Sequence, residues 1–212
     1  MAKGSETRRK RSREKILAAA EEVFLRHGFL GTSMDAVAEL AGVSKQTVYA
    51  HCKSKEALFL QVVEQMTGGA ARALDQGKED AFEGVTAESY FLAAATEQLH
   101  VVMTPRLMRL RRMVIGEVER FPDIGRSLQL NGPGRSVARF SRAIAHYARI
   151  GELHCTDPVS AAAFFNWLVM GGPTNDAMFL GDAGIPTRSA LDAHARESVR
   201  IFLAAFGAPR GA

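Results

Sequence analysis

Apolar residues recur every three or four positions along most of this chain, which is the spacing of amphipathic helices. Over Arg11 to His27 the pattern predicts one helix, which Gly28 ends, and Phe29 is expected to fill the core beside it. No segment alternates apolar and polar residues as a strand does, and no internal repeat is present. The pattern therefore predicts an all-α protein of about nine helices.

Two short helices are predicted around Gly42, the first starting at Thr32 or Ser33 and the second at Ser44. Ser and Thr are good N-caps, and glycine can adopt the positive φ that ends one helix just before another begins. Ser54 is expected to cap a third helix. Two short helices joined by a tight turn make a helix-turn-helix, whose second helix enters the DNA major groove.

The rest of the pattern predicts longer helices separated by short loops. The helix from Lys55 is expected to reach Leu74 unless Gly68 and Gly69 end it, and residues 75–84 read as a loop. Further helices are predicted over these ranges: Thr86–Met103, Pro105–Arg120, Ser136–Arg149, Val159–Leu180 with an interruption at Gly171-Gly172-Pro173, and Arg188–Phe206. We divide the chain into a flexible basic arm (1–10), a DNA-binding domain (11–57), and an effector-binding and dimerisation domain (58–212).

Two segments resemble a known family. VSKQTVYAHCKSKEALF, from Val43 to Phe59, is similar to the DNA-binding segment of the TetR family of bacterial transcriptional regulators, although Cys52 stands where that family usually has an aromatic residue. RLRRMVIGEVERFPDIGRSL, followed by GPGR, resembles the regulatory domain of the AefR-like branch and covers residues 105–135. The resemblance implies a homodimer that binds a near-palindromic operator and responds to a small molecule.

Charge is distributed unevenly along the chain. Residues 1–55 contain 11 Lys and Arg against 6 Asp and Glu, a net charge of +5. The remaining residues carry −1, which gives the total of +4. This asymmetry is typical of a DNA-binding domain joined to a nearly neutral partner domain. No apolar run is long enough for a membrane span and no secretion signal follows the basic N-terminus, so we expect a cytoplasmic protein with no membrane partner.

The candidate DNA-binding residues lie in and around the helix-turn-helix. Lys45, Gln46 and Thr47 sit at the N-terminal end of the recognition helix, where side chains reach base edges. The helix N-termini themselves favour phosphate, which adds Thr32, Ser33 and Ser44. The resemblance to the family implies phosphate contacts from Tyr49, His51 and Lys55. Each of these residues is also consistent with an ordinary surface or packing role.

The candidate effector pocket and dimer interface both lie in the C-terminal domain. Large, adaptable apolar side chains and one arginine are expected to line the pocket: Met103, Met108, Arg111, Met113, Phe140, Phe164, Trp167 and Met170. The last two helices are expected to form the dimer interface through Phe165, Leu168, Val169, Val199, Phe202 and Phe206. The sequence does not separate pocket, core and interface faces.

No cofactor, metal site or enzymatic activity is predicted. His154 and Cys155, with His146 nearby, provide too few ligands for zinc, and no catalytic motif is present. Cys52 is either a packing residue or, beside His51 and Lys53, a redox-sensitive thiol. The sequence favours a ligand-responsive repressor, with an effector-independent structural DNA-binding dimer and a transcriptional activator as alternatives.

Overall fold

The computed structural model describes residues 2–74 and 84–208, with side chains from residue 7 onward. Within these ranges the only β-type pairing is an isolated bridge between Leu153 and Gly207, so the all-α prediction is confirmed. The α-helices are α1 (Ala2–Gly31), α2 (Met34–Ala41), α3 (Lys45–His51), α4 (Lys55–Leu74), α5 (Ala87–Val102), α6 (Pro105–Glu117), α7 (Pro122–Gln129), α8 (Arg135–Arg149), α9 (Pro158–Leu180) and α10 (Arg188–Phe206). A π-helical turn spans Leu130–Gly134 and a 3-10 turn spans Gly181–Gly184.

The chain divides into two compact units. The first contains Met1–Thr67 and Arg109–Leu128, and the second contains Gly68–Met108 and Gln129–Ala212. This division differs from the predicted domains, because the first unit extends ten residues past position 57 and also takes in most of α6 and all but the end of α7.

The N-terminal arm is helical in the structure. Residues Ala2 to Lys10 form the first turns of α1, so the prediction of a flexible arm over residues 1–10 is corrected for the described part of it. The segment lacks an apolar stripe, which is why it reads as an arm, but Lys, Arg and Glu are good helix formers and no proline or helix-ending residue separates it from Arg11. Gly28 interrupts the regular helix with φ 70° and ψ 179°, as predicted.

Aromatic rings form the core of the first unit. Phe29 is 3% exposed and its ring centroid lies 5.3 Å from that of Phe59 and 5.0 Å from that of Phe121. Phe24 packs against Phe59 at 4.9 Å. The apolar stripe of α1 is thereby fixed to the start of α4 and to the segment before α7. The short helices α2 and α3 bury apolar residues of their own, Met34, Val37, Ala38, Ala41 and Val48, and this tertiary packing stabilises helices of their length.

Helix α4 continues past Gly68 and Gly69 and ends at Leu74. Of the two predicted alternatives, the longer helix is therefore the one observed. The predicted loop over residues 75–84 falls almost entirely outside the described residues. Within the part of the chain that the structure describes, no helix is long and apolar enough to cross a membrane.

Helix α9 continues through Gly171, Gly172 and Pro173, so the predicted interruption is wrong. Proline has no N–H to donate to the carbonyl four residues earlier, which here is that of Val169. The His194 side chain of α10 supplies a donor instead, because its Nε2 lies 2.9 Å from Val169 O and 3.0 Å from Leu168 O. Ser198 Oγ also donates to Leu168 O at 3.1 Å. Tertiary hydrogen bonds thus replace the one that Pro173 removes.

Candidate DNA-binding and effector sites

Side-chain caps begin both helices of the helix-turn-helix. Ser33, rather than Thr32, is the N-cap of α2, and its Oγ accepts from the Ala36 N–H at 3.1 Å. Ser44 caps α3 by accepting from the Thr47 N–H at 3.1 Å, and the Ser44 and Thr47 hydroxyls are themselves 2.8 Å apart. The caps fix where each helix starts. They also mean that these hydroxyls already have local partners.

The turn between the two helices depends on Gly42. Its φ of 65° and ψ of 38° lie in the left-handed region, and its N–H bonds to carbonyls of α2. A side chain there would be strained. Only Val48 of α3 is buried, while Lys45, Gln46 and Tyr49 are exposed. Helix α3 therefore presents a polar face with a basic start to solvent, as a recognition helix requires.

Lys45 is held by an ion pair with α2. Its Nζ lies 2.9 Å from Asp35 Oδ2, with both side chains more than half exposed. The hydrogen bond and the charge of Asp35 raise the pKa of Lys45. The ammonium is thus charged and oriented beside Gln46, but it must exchange this carboxylate for a phosphate or base to contact DNA.

Thr32 and Lys55 are used inside the protein. Thr32 is 3% exposed and its hydroxyl donates to Gly28 O at 2.7 Å, so its side chain is used inside the protein and its DNA contact stays a prediction. Lys55 Nζ donates to Thr32 O at 3.0 Å and lies 4.6 Å from the centroid of the Phe29 ring. Lys55 therefore clamps the turn between α1 and α2 to the start of α4, and its phosphate contact remains a prediction.

His51 lies near basic residues of α1 that the motif does not include. Burial, followed by the charges of Arg9 and Arg13, lowers the pKa of His51, which favours the neutral ring. Arg13 also donates to Gln61 Oε1 at 3.0 Å. These arginines extend the basic surface beyond α3. The charge asymmetry of residues 1–55 indicated such a surface, although it did not identify Arg9 or Arg13.

Cys52 is a packing residue at the end of α3. It is 2% exposed, and Gln61 Nε2 donates to its Sγ at 3.2 Å. Burial raises the pKa of the thiol, which opposes the thiolate that redox chemistry needs. Of the two interpretations of Cys52, the structure favours packing.

The predicted pocket residues separate into three groups. Met103, Met108, Phe140 and Met170 are buried in the core of the second unit, where pocket lining remains a prediction. Arg111 and Met113 belong to the first unit, and burial lowers the pKa of Arg111. The third group is a correction: Phe164 is 62% exposed and Trp167 is 69% exposed, so both face outward from α9.

The residues predicted for the dimer interface likewise lie on the opposite side of their helices from the one expected. They face the core of the second unit or pack against that core: Phe165, Leu168, Val169, Val199, Phe202 and Phe206. Helix α9 is apolar on two faces, so periodicity alone could not tell which one packs on α5, α8 and α10. The outward face carries Phe164, Trp167 and Phe179, the last 80% exposed, with Gly171 between them. We call these four residues the outward α9 face.

No group of three or more His, Cys, Asp or Glu side chains within the described ranges is arranged to hold a metal ion. His146 instead lies 3.2 Å, through Nδ1, from a guanidinium nitrogen of Arg149, and its ring packs edge-on to Tyr147.

Family models match both parts of the chain. Residues 16–62 match the family described as bacterial regulatory proteins, tetR family, and residues 90–208, more than half of the chain, match the C-terminal domain of AefR-like transcriptional repressors. The helix-turn-helix lies within the first match, and all the pocket and interface candidates lie within the second.

Solved structures extend the similarity over nearly the whole chain. One from Mesorhizobium loti MAFF303099, assigned to the TetR-family regulators, is 32% identical with a TM-score of 0.88, covering 94% of this chain and 98% of that one. The flavonoid-responsive regulator FrrA is 30% identical with a TM-score of 0.77, covering 95% of this chain and 100% of FrrA.

Among curated proteins, the transcriptional activator FasR of Mycolicibacterium smegmatis is 38% identical over 76 residues, which is 34% of this chain and 35% of FasR. This chain therefore matches only about a third of that relative's length.

Proposed function

Because this chain belongs to the TetR family of transcriptional regulators, we propose that it binds a near-palindromic operator as a homodimer and is released by a small effector. The observation that carries the proposal is the exposed, basic start of α3 on a helix-turn-helix whose other side is buried. A DNA-binding regulator works where the chromosome is, so a cytoplasmic location belongs to the proposal.

Operator recognition would rest on α3. Gln46 can pair bidentately with adenine and Lys45 can reach the acceptors of guanine, while Tyr49 and the arginines of α1 are suited to phosphates. The backbone N–H groups at the starts of α2 and α3, next to Ser33 and Ser44, add further phosphate donors. Several phosphate contacts would make the affinity fall steeply with salt.

Dimerisation would use the outward α9 face. Isolated exposed apolar residues are common, but three large ones on a single helix face are typical of an interface. Aromatic residues are enriched at such contacts, and Gly171 would allow a partner helix to approach closely. This assignment replaces the interface that the sequence suggested. Two-fold symmetry would then set the two recognition helices about 34–36 Å apart, one turn of DNA.

The effector would bind in the second unit, whose core contains Met103, Met108, Phe140 and Met170. FrrA, which is similar over nearly its full length, is named as flavonoid-responsive. We therefore place the effector among neutral aromatic compounds of that type. Release from DNA requires that the compound bind more tightly to the DNA-free form than to the operator-bound form. Repression is our main proposal. Activation is the alternative, because the similar regulator FasR is an activator.

The test begins with an operator selected from a random DNA library by the full-length protein. Fluorescence anisotropy then measures the affinity for that operator with and without hydroxyflavones. We expect tight binding that the ligand weakens. A structural DNA-binding dimer would instead show no sequence preference and no increase in melting temperature with any ligand of this type, which would contradict the proposal.

A further inference from the structure

A buried amide pair joins α5 to α9 inside the second unit. Gln98 is 2% exposed and Asn166 is 7% exposed. The Gln98 Nε2 donates to Asn166 Oδ1 at 2.9 Å. The neighbouring core positions on both helices are apolar, among them Leu99 and Phe165. Polar side chains are costly in such surroundings unless each of their groups is paired.

One atom of the pair is unsatisfied. Gln98 Oε1 is buried and has no hydrogen-bond partner among the residues that the structure describes. A buried acceptor without a donor is destabilising, whereas replacing both partners of such a pair with apolar side chains of the same size can be nearly neutral. A pair that served only to align α5 with α9 would not account for this free oxygen.

We propose that Gln98 Oε1 is the acceptor for a hydroxyl group of the effector. This inference rests on the proposed function, since it assigns a residue and a chemical group to the same effector site. The ligand class follows from the charge of the surroundings. Among the described residues of the second unit, the fully buried polar side chains are uncharged, namely Gln98, Asn166, Thr174 and Ser198, and the neighbouring Glu97 already has a cationic partner in Arg139 at 4.0 Å. A neutral donor therefore fits where a carboxylate or an ammonium group would remain unpaired.

A phenol has both properties that this site requires, an apolar ring and a neutral hydrogen-bond donor. Its ring matches the apolar and aromatic side chains around the amide pair, and its O–H supplies the missing donor. The corresponding methyl ether keeps the ring but cannot donate. A site built to pair a hydroxyl discriminates strongly against an analogue that lacks it, because the buried acceptor is then left unpaired.

The test measures binding of flavone, its monohydroxy derivatives and their methyl ethers to the full-length protein by calorimetry. For at least one hydroxyl position we expect the wild-type protein to prefer the hydroxyflavone over its ether by about 5- to 30-fold, the range of a buried hydrogen bond. The Gln98→Met variant keeps the side-chain size and removes the acceptor. It should bind both members of that pair with similar affinity.

Two further variants separate binding from folding. Thr174→Val removes a buried hydroxyl of α9 that donates to Met103 Sδ at 4.0 Å, and it should leave the preference unchanged. If Gln98→Met is unstable because Asn166 loses its donor, the double variant Gln98→Met with Asn166→Leu removes both partners and serves instead.

The outcomes are distinct. An unchanged preference in the Gln98 variants, or a wild-type preference for the ethers, overturns the inference and leaves the proposed function standing. If no flavone derivative binds, the proposed effector class fails and the inference fails with it, whatever the DNA affinity.

Discussion

Replacing Trp167 with Glu should convert the proposed dimer to a monomer. Trp167 is 69% exposed on the outward α9 face, so the substitution removes no core contact from the protomer. In a two-fold symmetric interface each substitution acts twice. Truncating one aromatic anchor costs about 2 kcal/mol or more, so two copies cost about 4 kcal/mol, which weakens dimerisation by roughly three orders of magnitude.

Sedimentation equilibrium over a wide range of protein concentration measures this change directly. Ile150→Glu is a matched control, because Ile150 is 51% exposed and caps the end of α8 instead of belonging to α9. We expect the control to remain dimeric and Trp167→Glu to be monomeric at micromolar concentration. The reasoning is refuted if Trp167→Glu dissociates no more readily than wild type, or if both variants dissociate equally.

Three further predictions concern Lys55, Cys52 and His194, whose contacts the structure defines. Lys55→Met should lower the free energy of unfolding by about 1–3 kcal/mol through loss of a charged hydrogen bond, measured by urea titration; no loss would contradict the clamp. Cys52 should react with a thiol reagent far more slowly than Cys155 in the folded protein, as mass spectrometry of the labelled peptides would show; equal rates would restore the redox interpretation. His194→Ala should lower the melting temperature, since Val169 O loses a donor at a cost of about 1–3 kcal/mol, and an unchanged midpoint would count against that compensation.

Local signals in the sequence predicted the helix-turn-helix well. Ser44 and Gly42 determine conformation through atoms close to them in the chain, by capping a helix and by adopting positive φ, so their roles can be read without knowledge of the fold. The start of α4 at Lys55 follows in the same way from Ser54, whose Oγ accepts from the Ala57 N–H at 3.1 Å. These are the features that the resemblance to the family also covered.

Features that depend on distant residues were not predictable. The continuation of α9 through Pro173 depends on His194 and on its distance to Val169 O, which no local pattern encodes. The exposure of Phe164 and Trp167 depends on which of two apolar faces packs against other helices. Likewise, whether Gln98 Oε1 finds a donor among the described residues depends on side chains that are distant in the sequence. Sequence therefore identified the DNA-binding region, while the tertiary structure was needed to separate core, interface and candidate effector group.

The most direct test of the account is a footprint of the wild-type protein on its selected operator, with affinity measured across salt concentrations. We predict two symmetric protected half-sites about 34–36 Å apart and an affinity that falls steeply with salt. Gln46→Ala should relax the preference at one base position in each half-site, at about 1–3 kcal/mol. Equal affinity for operator and random DNA, with no protected half-sites, would contradict the central claim that α3 reads DNA sequence as part of a dimer.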